Sequence, residues 1–111
     1  MIRNLTKNTI IAGNTRKAVT FRDRLCGLIG REFGPELEGM IFSSCTAIHT
    51  LFMGFPIDVI FADREKKILK QVESFPPFRL FLGCSKACWT LELPAGSLRK
   101  SGSTPGDILD F

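Results

Sequence analysis

Apolar and polar positions first trade places at short range along the chain. MIRNL sets Ile2 and Leu5 loosely apart, TKN is turn chemistry, and TIIA is a β-branched run that stops at Gly13-Asn14. The two segments predict a hairpin. The period then lengthens. In TFRDRLCGLIGRE, Phe21, Leu25, Leu28 and Ile29 fall at i, i+4, i+7 and i+8, which is one apolar stripe of a helix. Thr20 is placed to cap its start, Asp23 follows three positions on, and Gly30 offers a left-handed stop. This spacing predicts a helix over roughly residues 20–30.

From Met40 onward the period falls to two. GMIFSS, AIHTLFM, IDVIFAD and KILKQVE follow one another, separated by turn chemistry at Gly54-Phe55-Pro56 and Asp63-Arg64-Glu65-Lys66. IDVIFAD is apolar on both pleats apart from its carboxylates, the pattern of a central strand covered on both sides. KILKQVE carries Ile68 and Val72 between charges and reads as an outer strand. After Pro76-Pro77 and Gly83, ACWTLELP gives the cleanest alternation, with Trp89, Leu91 and Leu93 on one pleat and Thr90 and Glu92 on the other. PAGSLRKSGSTPGD reads as a loop with one helical turn, and DILDF as a closing strand. The expected architecture is mostly β with one short α-helix: a small antiparallel barrel or half-barrel of about 7–8 strands, the helix covering one end. Curling hides the edges that so many short strands would otherwise expose. No repeat or linker interrupts the pattern, so residues 1–111 are expected to form a single domain.

Composition adds detail to this picture. The chain has 111 residues, 44% hydrophobic and 23% charged, the balance of an ordinary globular protein. Ten Phe, one Trp and no Tyr favour a dry core over a surface that reads bases or sugars. The net charge is +4, and six basic residues up to Arg24 face the single acid Asp23. Such a stretch attracts phosphate backbones or anionic surfaces. A solvated basic face is the plainer reading, with nucleic-acid binding weak at most. There is no apolar h-region in the opening residues and no run of 18 apolar residues, so neither a secretory signal nor a membrane span is expected. Without a signal, Cys26, Cys45, Cys84 and Cys88 are expected as reduced thiols in a cytoplasmic protein.

The chemistry concentrates in CTAIHTLFMGFPIDVIF, Cys45 to Phe61, which holds a thiol, the one imidazole of the chain, a thioether and a carboxylate. On a strand, Cys45 and His49 share a face but stand roughly 13 Å apart at about 3.3 Å per residue. That separation opposes both a Cys45–His49–Asp58 nucleophilic arrangement and a zinc site gathering Cys45, His49, Cys84 and Cys88. Asp58, between Ile57 and Val59, is costly to bury without partners. It is expected either at the rim accepting loop amides or as one wall of a pocket. His49, Thr50, Asp58 and Glu92 are the polar residues expected to converge in a cleft.

The succession GLIGRE, EGMIF, IHTLFMGFPIDVIFAD, ILK, TLELPAGS and PGDIL resembles the family catalogued as domain of unknown function 192, over about Arg24 to Asp110. The resemblance implies a compact β-rich, barrel-like domain with a short helix. It places the family's polar motif residues on Arg31, His49, Thr50, Met53, Asp58, Glu92, Gly106 and Asp107. Ile29 stands where the family usually has Met, and His-Thr replaces its more common Trp-Met-x-Asn version. The family brings no established activity. The functional expectation is therefore a non-catalytic binding or assembly-accessory domain without a cofactor, with a small polar pocket of His49, Thr50, Met53, Asp58 and Glu92 for a small ligand or protein partner. Two alternatives stand beside it: a metal- or thiol-dependent enzyme using Cys45, His49, Cys84 and Cys88, and a weak nucleic-acid or anionic-surface binder using the basic N-terminal stretch.

Overall fold

The computed structural model describes residues 1–18, 33–43, 47–48, 55–76 and 82–111. Three sheets are found among them. In the first, β1 (Ile2–Asn4) lies between β2 (Thr9–Ala12) and β10 (Leu109–Asp110), antiparallel to both. The second has five strands in the order β3 (Thr15–Ala18), β4 (Gly39–Ser43), β9 (Trp89–Pro94), β6 (Ile57–Ala62), β7 (Ile68–Phe75). The third is the short antiparallel pair β5 (Ala47–Ile48) and β8 (Leu82–Gly83).

The two larger sheets meet at two corners. At one, the chain passes from β2 into β3 through the bend at Gly13 and Asn14. At the other, backbone bonds from Ile68 N to Asp107 O (2.9 Å), Gly106 N to Ile68 O (2.8 Å) and Leu109 N to Lys66 O (2.9 Å) tie the start of β7 to the last strand. The result is a mostly β half-barrel, as the alternation predicts.

Two features differ from the expected pattern. β3 is an additional strand, and it runs parallel to β4. A parallel pair needs a connection of a dozen or more residues, and residues 19–38 supply it. The helix expected at 20–30 falls in this connection and lies outside the described residues. The strand expected over AIHTLFM is described only at Ala47 and Ile48.

Burial follows from the covering of the five-stranded sheet on both sides. All six residues of β6 are buried. On one side, Ile41, Ile60, Leu91 and Leu93 pack with Ile2, Ala12 and Leu109 of the three-stranded sheet and with Leu98. On the other, Met40, Phe42, Ile57, Val59 and Phe61 pack under Phe33, Leu37, Phe55 and Ala87. β7, expected as an outer strand, is the edge of this sheet, with a mixed burial pattern.

The expected helical turn after Pro94 is α1 (Ser97–Ser101). Five residues cannot sustain a helix alone. Leu98 anchors it in the core, and Gly102 at φ 69 ends it, with Gly102 N reaching Arg99 O and Ser103 N reaching Leu98 O. This is a left-handed stop of the kind glycine adopts without steric cost. At its start, Gly96 has no side chain with which to cap the helix.

Candidate functional site

The missing cap is supplied from the sheet. Asp58 on β6 is fully buried. Its Oδ2 accepts hydrogen bonds from Leu98 N (2.9 Å) and Gly96 N (3.1 Å), and its Oδ1 accepts one from Ser74 N (2.8 Å). Ser74 sits at φ 48, beside a register shift between β6 and β7. One carboxylate therefore satisfies two orphan amides of the first helical turn and the amide of a strained bulge residue. Of the two placements expected for Asp58, the structure shows the acceptor of loop amides.

Glu92 on β9 is placed differently. Its register neighbours are Met40 on β4 and Val59 on β6, while the neighbour of Asp58 is Leu93. Pleat parity thus puts Asp58 and Glu92 on opposite sides of one sheet. Glu92 is 4% exposed, and its Oε2 has no hydrogen-bond partner among the described residues. The row across the sheet reads Arg16, Met40, Glu92, Val59, Val72. Phe42, Thr90 and Phe61 form the next row. In these apolar surroundings burial pushes the carboxyl from the ordinary 4.5 up to about 8. At neutral pH the group is held mainly as the neutral acid, able both to donate and to accept a hydrogen bond.

A third buried carboxyl, Asp107, closes the other end of the half-barrel. It accepts from Asn4 Nδ2 (2.9 Å), Lys7 Nζ (2.9 Å) and Thr104 N (3.0 Å). Burial pulls its pKa upward, but the bonds from Asn4, Lys7 and Thr104 and the Lys7 charge outweigh it and hold the carboxyl at about 2. Asn4 also donates to Ser103 Oγ, which lies 2.7 Å from Ser101 Oγ. The network is satisfied within itself and joins the first strand to the last turn.

A family model described as DUF192, "Uncharacterized ACR", matches residues 3–111. The chain belongs to the DUF192 family. A UPF0127 protein of Pyrococcus horikoshii is 33% identical over 102 residues, covering 86% of this chain and 85% of that protein. A UPF0127 protein of Thermococcus sibiricus is 29% identical over 115 residues, covering 100% and 74%. Among solved structures, a protein of unknown function from Novosphingobium aromaticivorans has a TM-score of 0.76 at 24% identity, covering 87% of this chain and 74% of its own. A Sinorhizobium meliloti protein, whose name provisionally makes it a transcription regulator, has a TM-score of 0.76 at 26% identity, covering 86% and 79%.

Of the expected pocket in this DUF192 chain, Asp58 and Glu92 are not brought together, because the sheet separates them. His49, Thr50 and Met53 lie outside the described residues, as do Arg31, Cys26 and Cys45. Cys84 and Cys88 are free, half-buried thiols. No group of three metal-ligating side chains occurs among the described residues. The Asn4–Ser103–Asp107 network was not anticipated from the alternation. One signal for it exists: Asn4 shares a pleat with Ile2, two residues earlier, so an amide on an otherwise inward face required a partner.

Proposed function

We propose that this DUF192 chain is a single-domain, non-catalytic binding or assembly-accessory protein whose recognition element is the Glu92 side of the five-stranded sheet. His49, Thr50 and Met53 are its further candidate contacts, and Asp58 is assigned to the scaffold. The observation that carries this reading is the Glu92 carboxyl, buried between Met40 and Val59 with Oε2 unpaired. An unsatisfied buried polar atom costs about 1–3 kcal/mol. Gln71 Oε1 is the other such atom among the described residues, but its side chain is held by the bond from Nε2 to Ser103 O, whereas no such bond among them anchors Glu92. A strongly perturbed acid on an apolar surface is instead a functional-site signal.

The matching ligand has an apolar body and one group that hydrogen-bonds to a neutral carboxylic acid, such as an amide, alcohol or carboxylic acid. It is a small molecule or the side chain of a protein partner. Amide-resolved NMR with a library of such fragments at pH 6.5 tests this. A subset should shift the amides of Met40, Val59 and Glu92 in the wild type and in Glu92→Gln, but not in Glu92→Leu. If no fragment perturbs these amides, the reading fails. A cytoplasmic location accords with the two free thiols.

The thiol- or metal-dependent alternative is separated by elemental analysis of untagged protein, in which stoichiometric zinc or iron would favour it. For the nucleic-acid alternative, the Lys7 charge is already engaged by Asp107 at 2.9 Å, which leaves fewer basic groups for a phosphate backbone.

A further inference from the structure

The exposed large apolar side chains among the described residues are Met1 (58% exposed), Leu5 (55%), Ile10 (57%), Leu69 (37%) and Ile108 (37%). They are not scattered. Met1 and Leu5 share the outward pleat of β1 and its flanks with Arg3. Ile10 is the register partner of Arg3 on β2. Leu5 N bonds Ile108 O at 2.8 Å, so Ile108 stands across from Leu5. Lys67 bridges to Ile108 from the far side, and Leu69 follows two residues on, at the register shift of β7 against β6. Met1, Leu5, Ile10 and Ile108 therefore fall on the outer face of the three-stranded sheet, with Leu69 at its β7 corner. Scattered single apolar residues need no explanation, but a contiguous group rimmed by charge marks an interaction surface.

The charges on this face indicate the occupant. Arg3 and Asp110 are register partners, both exposed, yet they form no ion pair or hydrogen bond among the described residues. Consider a two-fold axis lying against this face, parallel to the strands and between β1 and β10. It sets Arg3 over Asp110 of a second copy, and Leu5 over its Ile108, each contact occurring twice. That is the self-complementarity an isologous interface requires.

We propose that the outer face of the β10–β1–β2 sheet is a homodimerisation surface, with Leu5, Ile10 and Ile108 at its centre and reciprocal Arg3–Asp110 pairs beside them. This goes beyond the binding role assigned to the Glu92 side, which the dimer contact does not touch. Its apolar centre is three side chains, fewer than a standard stable interface buries, so a weak dimer is expected, with a Kd on the order of 100 µM.

Sedimentation equilibrium of the full chain from about 10 µM to 1 mM tests the proposal. The expected result is a monomer–dimer equilibrium weakened at least tenfold by Leu5→Lys. Arg3→Asp and Asp110→Arg should each weaken it, and the double exchange should restore it. All three positions are exposed, and far-UV circular dichroism and the thermal midpoint check that each variant stays folded. A monomer at every concentration overturns the proposal, as does a double exchange no better than the single ones. So does wild-type protein that remains monomeric but floats with phosphatidylglycerol vesicles, which would assign the face to a lipid surface.

Discussion

Asp58 and Glu92 lie on adjacent strands of one sheet, one register step apart, and both are removed from water. Their situations are nonetheless opposite. Asp58 faces the side closed by the three-stranded sheet and α1, where three backbone amides converge on it at 2.8–3.1 Å. Glu92 faces the side covered by Phe33, Leu37 and Phe55, where its Oε2 finds no donor among the described residues. A carboxylate that receives amides is a structural element, organising a helix start and a bulge at once. A buried carboxyl oxygen without a donor imposes a cost that folding alone does not explain. The same chemical group is thus scaffold on one face and candidate site on the other, depending on where the backbone ends its elements.

The most severe test of this contrast is Asp58→Ala. It orphans the amides of Ser74, Gly96 and Leu98, and the expected loss is about 4 kcal/mol of unfolding free energy, measured by denaturant melts. A loss under about 1 kcal/mol would break the scaffold assignment.

Glu92→Gln should act in the opposite direction. A folded-state pKa of about 8 against 4.5 means that the native state binds the proton more tightly than the unfolded chain. Wild-type stability therefore falls as pH rises from about 4.5 to about 8 and levels off above. The amide removes that dependence, with a gain on the order of 4 kcal/mol at pH 8 and almost none at pH 4.5. A variant that melts no higher than wild type at pH 8 would show the carboxyl to be paired after all.

Asp107 sharpens the comparison from the acid side. Its pKa, depressed to about 2, gives stability that is complete above about pH 4 and lost as pH falls toward 2. Asp107→Asn should cost about 2 kcal/mol at pH 7 and flatten the acid limb of the pH profile, leaving the Glu92 limb untouched.

The smallest effect is expected at Lys66. Lys66 Nζ lies 4.4 Å from the centre of the Phe111 ring and 5.6 Å from that of Trp89. Lys66→Met should cost no more than about 1 kcal/mol and leave the pH dependence unchanged. A larger loss would mean that this corner, rather than Asp58, governs stability.

Much of the fold was legible in the alternation. β6 reads as buried on both pleats and is; β7 reads as an outer strand and forms the sheet edge; the PAGSLRKSG turn becomes α1. β3 was not legible, because TRKA carries two charges and too little apolar signal to mark a strand. Its pairing comes from lying beside β4, which a window of neighbouring residues does not contain. The candidate site was legible residue by residue but not as an arrangement. Both Asp58 and Glu92 stood out as polar groups on apolar strands, whereas their placement on opposite sides depends on the β6–β9 register.

By itself, the sequence determined the period of each segment, the turn chemistry between segments and therefore a β-rich chain with polar groups at fixed pleat positions. Only the tertiary structure decided what covers each pleat. Alternation encodes parity, which is local, whereas satisfaction of a buried carboxyl depends on groups distant in sequence: Gly96 and Leu98 for Asp58, Asn4 for Asp107. For Oε2 of Glu92 the described residues bring no such donor, and that leaves one side of the sheet with a hydrogen-bonding capacity still to be met.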